Sequence, residues 1–323
     1  MTLIEGSALR GSTAGAAFAG PDTDAEVAVI IVTYNSAADI DRLIASLRRE
    51  AKRSRLRVIV ADNHSVDGTL EIVARHTDVI AFRTTGNIGY AAGINAAREH
   101  VGDASSVLVL NPDLVVEPGA IRALLDRVEY SAAGVVVPRI LEESGVTYES
   151  LRREPTLSRA IGDALFGSRF PLRPGWLSEM VYGRAAYRGA HTAEWATGAA
   201  LLIRRDVADL VGGWDERFFL YSEEVDYFRR VRDVGEVVWF EPEAVVRHCQ
   251  GGSGTSSALV ALMAVNRVRY VEKGHGALYS GAYRLAVILH SVLRSAQPDH
   301  RGSLRFLLNR TTWRFLPRAT GAP

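Results

Sequence analysis

The stretch of sequence that decides the fold is Val107-Leu108-Val109-Leu110-Asn111-Pro112-Asp113. Four apolar residues end abruptly at a polar corner, and this pattern is typical of a buried strand in a parallel sheet. Open α/β sheets bind their ligands at the carboxyl ends of such strands. Asp113 is therefore a candidate ligand for a divalent cation, because hard cations prefer carboxylate oxygen. A simple strand-ending turn would use the same residues.

Three more units of strand and helix precede this stretch. Apolar, β-branched runs predict strands at Val27–Thr33, Leu56–Ala61 and Val79–Phe82. Helical spacing follows each strand, first at Ile40, Leu43, Ile44 and Leu47, then at Leu70, Ile72 and Val73 behind a cap at Asp67, and then up to about Glu99. Pro118 is expected to open the next helix. Such repeats predict an α/β fold with a doubly wound, mostly parallel sheet and helices on both faces.

The alternation of strand and helix patterns weakens after a predicted strand at Val135–Pro138. Residues 141–192 show no firm period, and we expect an irregular insertion there that faces the substrate. Farther on, the pattern predicts a strand within Thr197–Arg204, helices near Asp206 and at Glu224–Arg232, short strands at Val237–Phe240 and Ala244–Val246, and helices at Asn266–Lys273 and Leu278–Leu293. We divide the chain into a mobile tail (1–25), a main domain with two halves (26–138 and 139–276) and a helical C-terminal extension (277–323).

Composition excludes several classes of protein. The formal net charge is +1, so the chain has no overall nucleic-acid signature. The single cysteine, Cys249, excludes an internal disulfide bond and a cysteine-cluster zinc site, and it fits a reducing compartment. The first residues lack the order of a signal peptide, and no apolar run reaches the roughly 18–20 residues of a membrane span. We therefore expect a cytoplasmic location.

The C-terminal extension is basic and apolar at once. From Ala277 onwards it holds seven arginines, no lysine and one acid, Asp299. The arginines are interleaved with aromatic and leucine side chains, which suits the interface of a membrane that carries anionic lipid. That interpretation predicts peripheral contact with the inner face of the plasma membrane. A homodimer interface, or packing on the main domain, explains the apolar residues equally well.

The common phosphate-binding loops do not occur in this sequence. Gly86, Gly89 and Gly93 are spaced G-x-x-G-x-x-x-G, which differs from the dinucleotide fingerprint, and there is no G-x-x-x-x-G-K-[ST] motif. These observations disfavour a nicotinamide cofactor and P-loop ATP hydrolysis. Polar corners instead follow three predicted strands, at 33–35, 62–68 and 111–113, and in a parallel sheet all three emerge at one edge.

These corners and several later motifs resemble the family 2 glycosyltransferases of the GT-A fold, particularly their bacterial rhamnosyltransferase-like branch. The matching segments, in the same order, are VTYN (32–35), ADNHSVDGT (61–69), GNIGYAAGIN (86–95), LNPD (110–113), ATGAALLIRR (196–205), GGWDERFFLYSEEVDYFRR (212–230), RHCQGGSG (247–254) and NRVRYVEKGHG (266–276). They lie within residues 26–276. The resemblance implies that this range is a GT-A catalytic domain, with 26–138 as its nucleotide-binding half and 139–276 as its acceptor-binding and catalytic half. An ordered set of this length is far more specific than any single motif.

The resemblance implies a nucleotide-sugar donor, a divalent metal (Mg²⁺ or Mn²⁺) and inversion at the anomeric carbon. Thr33 and Tyr34 would contact the nucleoside, and Asp62 would accept a hydrogen bond from the pyrimidine ring. Asn111 replaces the first acid of the usual acidic pair, so it can bind the ribose or a metal-bound water but adds no charge. The other donor-site residues would be Asn35, Asn63, Asn87, Gly89 and Asn95, and the metal ligands would be Asp113 and His248.

The resemblance also places a general base at the start of the helix that follows Phe218-Phe219-Leu220-Tyr221. An inverting transfer needs a group that removes the proton of the acceptor hydroxyl as its oxygen attacks. Glu224 stands at the base position, although it is one methylene longer than the usual Asp. Asp226 is the second candidate, with a helix-capping or orienting role as its alternative, and Glu223 is the third. Acidic residues in a first helical turn also stabilise the helix, so capping is the alternative.

Four residues would form the wall that binds the sugars. Thr197 and Gly198 are small enough to leave room for a pyranose. Trp214 would stack on a sugar while Asp215 bonds its hydroxyls, and a packed core tryptophan is the alternative. For His248 the alternative is a purely structural histidine. Gly251-Gly252-Ser253-Gly254 is either a flexible linker or a loop that closes over the diphosphate.

The expected function is transfer of a sugar to a hydroxyl of a glycan, glycolipid or natural product by single displacement. The resemblance favours dTDP-rhamnose as donor, and UDP-sugars stay open. A sugar-nucleotide nucleotidyltransferase is one other class, but it should carry a basic, glycine-rich loop where this chain has Thr33-Tyr34-Asn35-Ser36. A non-catalytic, sugar-nucleotide-binding scaffold is another, and the presence of Asp113, Glu224 and His248 together argues against it.

Overall fold

A computed structural model of the chain describes residues 2–3, 16–167, 170, 173–248 and 256–318. The strands are β1 (Thr2–Leu3), β2 (Val27–Thr33), β3 (Leu56–Asp62), β4 (Ile80–Arg83), β5 (Ser106–Leu110), β6 (Leu114–Val116), β7 (Val135–Glu142), β8 (Leu151–Arg152), β9 (His191–Thr192), β10 (Trp195–Ala196), β11 (Ala200–Arg204) and β12 (Val238–His248). The helices are α1 (Ile40–Glu50), α2 (Thr69–Val73), α3 (Tyr90–Arg98), α4 (Ala120–Ser131), α5 (Leu157–Phe166), α6 (Arg205–Val211), α7 (Glu223–Asp233), α8 (Ser257–Gly274), α9 (Ala277–Leu293) and α10 (Pro298–Leu308). Short 3₁₀ helices lie at Gly175–Leu177, Arg184–Tyr187 and Arg310–Phe315.

One large sheet carries the fold. Within the described residues its strand order is β1-β4-β3-β2-β5-β11-β7-β12-β6, and β9 pairs with β12 outside this order. The strands β2, β3, β4, β5, β7 and β12 run in one direction, while β11 is antiparallel to both of its neighbours. The predicted mostly parallel α/β sheet is therefore confirmed. The carboxyl ends of β2, β3 and β5 meet at one edge, as the three polar corners require.

Both faces of the sheet are buried beneath helices. Alternate residues of a strand point to opposite faces, and in β2 Val27, Val29 and Ile31 join one core cluster while Ala28, Ile30 and Val32 join the other. The first cluster receives the apolar sides of α1 and α4, and the second receives those of α3, α6, α7 and α8. This two-sided burial explains why the strands read as continuous apolar runs.

Three local predictions were wrong in detail. The 141–192 segment is not irregular throughout, because it forms β8, α5 and β9. The two strands expected at 237–240 and 244–246 are one strand, β12, because both of its halves pair with β7 across a register shift between Glu241 and Val245. Pro242 lies within that shift, where a residue without an N–H is tolerated. Pro118 was expected to open α4 but lies before it. The helix begins only after Gly119, which has a positive φ.

The C-terminal helices pack on the same side of the sheet as α3 and α7. Tyr283, Ala286 and Val287 of α9 and Leu307 of α10 belong to the same buried cluster as those two helices. Arg284 of α9 donates a hydrogen bond to the carbonyl of Leu307, which ties α9 to α10. Of the alternatives for the extension, packing on the main domain therefore accounts for its buried apolar side chains. None of the helices in the described part of the chain is both long and apolar enough to cross a membrane.

Candidate active site

A cavity of about 760 Å³ opens at the edge of the sheet where β5 ends and α7 begins. Antiparallel pairing places Ala200 of β11 opposite Leu110 of β5, so the segment 197–199 enters the sheet beside the corner 111–113. Most of the lining residues are polar, charged or aromatic, and Gly198 contributes backbone. The lining includes Tyr90, Asn111, Tyr148, Arg152, Glu179, Thr197, Gly198, Glu223, Glu224, His248, Arg267 and Tyr270.

Asp113 and His248 meet although they are far apart in the chain. The strand β6 begins at Leu114, the strand β12 ends at His248, and antiparallel pairing sets these two residues opposite each other. The His248 Nε2 atom consequently lies 3.2 Å from Asp113 Oδ2. The other carboxylate oxygen, Asp113 Oδ1, is buried and has no hydrogen-bond partner among the described residues. Burial raises the pKa of Asp113, and the positive charge of a protonated His248 opposes that rise.

This pair fits a divalent cation. A buried carboxylate oxygen without a partner, next to an imidazole nitrogen, is a donor set that Mg²⁺ or Mn²⁺ accepts. In the described part of the chain no cluster of three His, Cys, Asp or Glu side chains could hold a metal. A cation held by Asp113 and His248 would thus take its remaining ligands from water and from a bound diphosphate. The loop 251–254, predicted to close over that diphosphate, and Cys249 lie outside the described residues.

The second acidic pair, Glu223 and Glu224, occupies the first turn of α7. Tyr221 and Ser222 immediately before it have φ values of 67° and 72°, a strained conformation for residues with a side chain. This turn aims the two glutamates into the cavity. Gly198 leaves room for Glu224, since a Cβ at position 198 would lie 3.1 Å from the Cβ of Glu224. The Oε2 atom of each glutamate is buried without a hydrogen-bond partner among the described residues.

The two glutamates titrate as a coupled pair. Burial raises the pKa of both carboxyl groups, and the charge of Glu224 raises the pKa of Glu223 further, well above its ordinary value. Like charges this close disfavour double ionisation. We infer that Glu223 holds the proton while Glu224, which is only half-buried, is ionised. The geometry thus favours Glu224 over Glu223 as a base.

Tyr90 lines the cavity together with Glu223 and Glu224. Its hydroxyl donates a hydrogen bond to Asn111 Oδ1 at 2.9 Å and lies 3.4 Å from the carbonyl oxygen of Gly198. Burial raises its pKa well above the ordinary value, and the charges of Glu223, Glu224 and Asp113 raise it further. The charges of Asp113 and Glu224 therefore both act on this phenol. Tyr90 was not predicted from the sequence, although it directly follows Gly89 in the GNIGYAAGIN motif.

The predicted nucleoside corner is preassembled by the chain itself. Asp62 is fully buried. Its Oδ1 accepts a hydrogen bond from Thr33 Oγ1 at 2.9 Å, and its Oδ2 accepts one from the Ser65 amide at 2.9 Å. Tyr34 is 54% exposed beside this corner, and Asn35 Oδ1 accepts a hydrogen bond from the amide of Val66. The corner is rigid, and the contact of Asp62 with a pyrimidine remains a prediction.

The loop at Gly89 is joined to the loop that precedes α7. Asn63 Nδ2 donates to the Gly89 carbonyl at 2.9 Å, and Asn87 Oδ1 accepts from the Gly89 amide at 3.2 Å. The Tyr90 amide donates to the Phe219 carbonyl at 2.7 Å. Gly89 has a φ of 90°, and a Cβ there would lie 2.4 Å from the Phe219 carbonyl oxygen. Glycine is required here for both reasons.

The Gly89→Ala variant is expected to lose about 3 kcal/mol of unfolding free energy, because it adds a backbone clash to the strain of a positive φ. Gly119→Ala is the matched control: its φ is 88°, but no described atom lies within 4 Å of a Cβ there. That control should lose only about 1 kcal/mol. Chemical denaturation measures both values, and equal losses would contradict the proposed contact with Phe219.

Four further predicted site residues are engaged in contacts within the protein. Like Asp113, the nucleoside corner and the loop at Gly89, they are not among the residues that line the cavity. The first two are Asn95 and Trp214. The Asn95 side-chain amide accepts from the Trp214 N–H at 2.8 Å and donates to the Trp214 carbonyl at 2.9 Å, so it clamps the chain there. Trp214 is 3% exposed and stacks on Tyr227 with ring centroids 4.3 Å apart. The structure therefore favours the packed-core alternative for Trp214 over stacking on a sugar.

Asp215 and Asp226, the other two, are joined by one lysine. Lys273 Nζ lies 2.8 Å from Asp215 Oδ2 and also binds Asp226, which in turn accepts from Arg230 Nε at 2.9 Å. A hydrogen bond from Arg217, assisted by Lys273, holds the pKa of Asp215 well below its usual range. Asp226 is buried and already paired with two cations, so it suits the orienting role predicted as its alternative, and it is a poor base.

Asn266 of α8 is a positioning residue that the sequence analysis did not single out. It is fully buried, and its Nδ2 donates to the carbonyls of Leu220 at 2.9 Å and Tyr221 at 3.0 Å. These carbonyls belong to the strained turn that aims Glu224. The only available sequence signal was its place at the head of the NRVRYVEKGHG segment.

We expect Asn266→Asp to lower kcat about tenfold and to lose about 2 kcal/mol of unfolding free energy, because it replaces two hydrogen bonds with repulsion between oxygen atoms. In the control Asn309→Asp both should stay near the wild-type values, since Asn309 Oδ1 only accepts, from the amide and hydroxyl of Thr311. Steady-state kinetics and denaturation measure the two effects. A variant with unchanged kcat would show that the turn does not depend on Asn266.

The far wall of the cavity comes partly from the segment that lacked a readable pattern. Tyr148, Arg152 and Glu179 line it, and Arg267 of α8 lies 2.6 Å from Glu179. Burial raises the pKa of Glu179 against the opposing charge of Arg267. This segment was expected from the sequence to face the substrate, but no pattern in it pointed to Tyr148, Arg152 or Glu179.

An α/β sheet whose carboxyl edge gathers a carboxylate–imidazole pair and a buried acid pair has the groups that an enzyme uses to bind a cation and to move a proton. Comparison with known families agrees. The model of the family described as "Glycosyl transferase family 2" matches residues 28–209, which is more than half of the chain. The chain belongs to glycosyltransferase family 2, and it is a glycosyltransferase.

Characterised relatives are similar to most of the chain. It is 33% identical over 261 residues to an N-acetylglucosaminyl-diphospho-decaprenol L-rhamnosyltransferase of Mycobacterium tuberculosis, covering 75% of this chain and 82% of the relative. It is 24% identical over 225 residues to the rhamnosyltransferase WbbL of Escherichia coli, covering 67% and 80%. The low-salt glycan biosynthesis hexosyltransferase Agl10 of Haloferax volcanii is 31% identical over 213 residues, covering 64% of this chain and 62% of that relative.

Solved structures support the GT-A-type fold. GalNAc-T7 with UDP, GalNAc and Mn²⁺ superposes with a TM-score of 0.61 at 16% identity, covering 90% of this chain and 57% of that one. The mannosyltransferase PcManGT of Pyrobaculum calidifontis, in complex with GDP-Man and Mn²⁺, gives a TM-score of 0.55 at 16% identity, covering 95% and 86%. At these identities the likeness concerns the fold.

Proposed function

We propose that the protein transfers a rhamnosyl group from dTDP-rhamnose to a hydroxyl of a lipid-linked glycan, with inversion and with a divalent metal. The observation that carries the proposal is that Glu224, Tyr90 and His248, the partner of Asp113, line one cavity. Two relatives whose names state rhamnosyl transfer support the sugar. The name of the mycobacterial relative supports an acceptor that carries a lipid diphosphate. Transfer of a sugar from a UDP-sugar donor is the second candidate function.

Glu224 is the base of the proposed reaction. The acceptor hydroxyl gives its proton to the Glu224 carboxylate while its oxygen forms a bond to the anomeric carbon. The bond between that carbon and the diphosphate oxygen breaks on the opposite face, and the diphosphate keeps the electron pair. Attack and departure on opposite faces invert the configuration, and no covalent enzyme intermediate forms. A protonated Glu223 leaves Glu224 as the ionised partner.

Asp113 and His248 would hold the divalent cation, and Asn111 would bind the ribose or a water beside it. The cation supplies Lewis acidity that stabilises charge on the departing diphosphate. Tyr90 keeps its proton at neutral pH because its pKa is raised, so it donates steadily to Asn111 and holds that side chain in place. Manganese in two superposed relatives supports this choice of metal.

A thermal-shift screen of nucleotide sugars with Mn²⁺ tests the donor. A ligand at about 100 times its Kd stabilises a protein by about 2.7 kcal/mol, so the preferred donor should stand out. We expect dTDP-rhamnose to raise Tm more than UDP-sugars do and to release dTDP slowly in a metal-dependent way. Preference for a UDP-sugar would move the assignment to the second candidate. Release of pyrophosphate from a nucleoside triphosphate would indicate a nucleotidyltransferase, and binding without turnover with lipid-linked acceptors would indicate a scaffold.

A further inference from the structure

The outer face of α9 is apolar along its whole length. Its exposed large side chains are Leu278, Leu285, Leu289, Val292 and Leu293, with exposed fractions of 93, 66, 37, 48 and 54%. At 3.6 residues per turn these positions lie on one side of the helix. The other exposed positions of α9 are Ala277 and Gly281, so this face presents no polar side chain. The outer face of a surface helix is normally polar, so this face indicates a partner.

The neighbouring helix α5 extends this apolar face. The amide of Leu157 donates to the Tyr279 hydroxyl at 2.9 Å, where both helices begin, and Arg294 donates to the carbonyls of Asp163 and Ala164, where both helices end. The two helices therefore lie side by side in the same direction. The exposed residues of α5 are again apolar, namely Ile161, Leu165 and Phe166. We call these exposed residues of α5 and α9 the apolar face.

Arginines accompany the apolar face. The extension carries seven arginines against the single acid Asp299. Arg301, Arg305 and Arg314 are exposed, and the guanidinium groups of Arg305 and Arg314 lie 5.9 and 4.8 Å from the ring centre of Phe315, which is itself exposed. Aromatic rings with guanidinium groups around them suit the depth at which acyl chains meet head groups.

We propose that the apolar face and the C-terminal arginines dock on a bilayer that contains anionic lipid. Charge decides between this partner and a second copy of the chain. A symmetric dimer through the extension would bring the exposed Arg301, Arg305 and Arg314 of both copies together, and Asp299 is the only acid that the extension itself sets against them. An anionic bilayer supplies both the apolar surface and the opposite charge. This inference goes beyond the proposed function, because it does not depend on which sugar is transferred.

The apolar face lies near the cavity, which bears on how a lipid-anchored acceptor would enter it. Arg152 and Pro155 line the cavity, and α5 begins two residues after Pro155. Met263 of α8 also lines the cavity and is exposed. The helix α5 thus begins beside the cavity wall, so docking of the apolar face would bring a lipid-anchored acceptor close to the cavity.

Flotation of the full chain with vesicles tests the proposal. The wild type should bind vesicles of phosphatidylcholine mixed with phosphatidylglycerol, bind pure phosphatidylcholine more weakly, and lose part of its binding at high salt. Leu285→Ser should weaken binding about tenfold, since a buried leucine side chain contributes that much or more. Leu210→Ser in α6 is the matched control, because Leu210 is 63% exposed outside the apolar face, and it should bind as the wild type does.

Arg305→Gln and Arg314→Gln should each weaken binding to the anionic vesicles about fivefold. Arg55→Gln, at an exposed arginine in the nucleotide-binding half, should leave binding unchanged. Transfer to a water-soluble acceptor should stay normal in all these variants, which separates this proposal from the proposed function. Wild-type protein that fails to float overturns the proposal, as does equal weakening by Leu285→Ser and Leu210→Ser. A vesicle-free dimer that Leu285→Ser dissociates, with vesicle binding unchanged, assigns the face to a second copy and likewise overturns it.

Discussion

Glu224→Gln is expected to lower kcat about 10²- to 10⁴-fold, which is the usual contribution of a positioned general base. Glutamine has nearly the same size, so binding of the donor should change little. The measurement is steady-state transfer together with a thermal shift for the donor. If the kcat of the Glu224→Gln variant stays within a few-fold of the wild type, Glu224 is excluded as the base.

The neighbouring variant Glu223→Gln is the matched control and should keep kcat near the wild-type value. Glutamine imitates the protonated carboxyl group, and the raised pKa indicates that Glu223 is already protonated when Glu224 is ionised. The two variants differ by one position in the same turn of α7. A loss with Glu223→Gln as large as that with Glu224→Gln would show that the roles are shared or reversed.

The raised pKa values also predict two pH dependences of known sign. Activity should fall as pH falls through the pKa of Glu224, and this acid limb should lie above the ordinary glutamate value of about 4.3. Glu223 binds its proton more tightly in the folded than in the unfolded chain, so its contribution to stability is full below the unfolded pKa and is lost as pH rises through the folded one. Glu223→Gln should therefore be more stable than the wild type at high pH, and denaturation at several pH values measures this. A variant less stable than the wild type would argue against a protonated Glu223.

Asp113→Ala is expected to lower kcat/KM about 10²- to 10³-fold, because a metal contributes several kcal/mol to a developing charge and this variant removes its carboxylate ligand. Treating the wild type with a chelator should lower kcat/KM by the same factor. Added Mn²⁺ should restore the activity of the wild type but not that of the variant. Kinetics over a range of Mn²⁺ concentrations measure both effects. Full activity in chelator would contradict the metal role of Asp113.

His248→Ala and Asn111→Ala refine this second prediction. Losing His248 should weaken the apparent affinity for Mn²⁺ about 10- to 100-fold, with a kcat at saturating Mn²⁺ closer to the wild type than that of Asp113→Ala. Asn111→Ala should leave the affinity for Mn²⁺ nearly unchanged, because the amide adds no charge. An equal loss of Mn²⁺ affinity in Asn111→Ala and His248→Ala would mean that the corner 111–113 binds the metal without the imidazole.

Much of the fold was predictable because its signals are local. The strands at 27–33, 56–62 and 106–110 are buried on both faces, so each appears in the sequence as an unbroken apolar run. The helix α5 shows where such prediction stops: it carries apolar residues on its exposed side, so the periodicity that separates buried from exposed positions is weak. The helix α9 was predicted, but its apolar exposed side hid which of its residues are buried.

The site was predictable only where its residues follow strands or open a helix. Asp113, Glu223 and Glu224 were proposed in this way, since their places depend on neighbours in the chain. The contacts of Trp214 and Asp226 were not predictable, because their partners, Tyr227 and Lys273, lie on other elements or turns. Tyr90 and Asn266 were missed for the same reason: each acts through a contact with a distant backbone or side chain.

The sequence by itself determined the α/β class, the polar corners at the strand ends and the family, because these follow from residue order and from periods of two and about 3.6 residues. Only the tertiary structure showed which acids line the cavity and which are paired elsewhere. The antiparallel register of β6 with β12 brings His248 to Asp113, and Lys273 removes Asp226 from the list of bases by pairing with it. Contacts between residues far apart in the chain depend on how whole elements pack, and no local pattern records that.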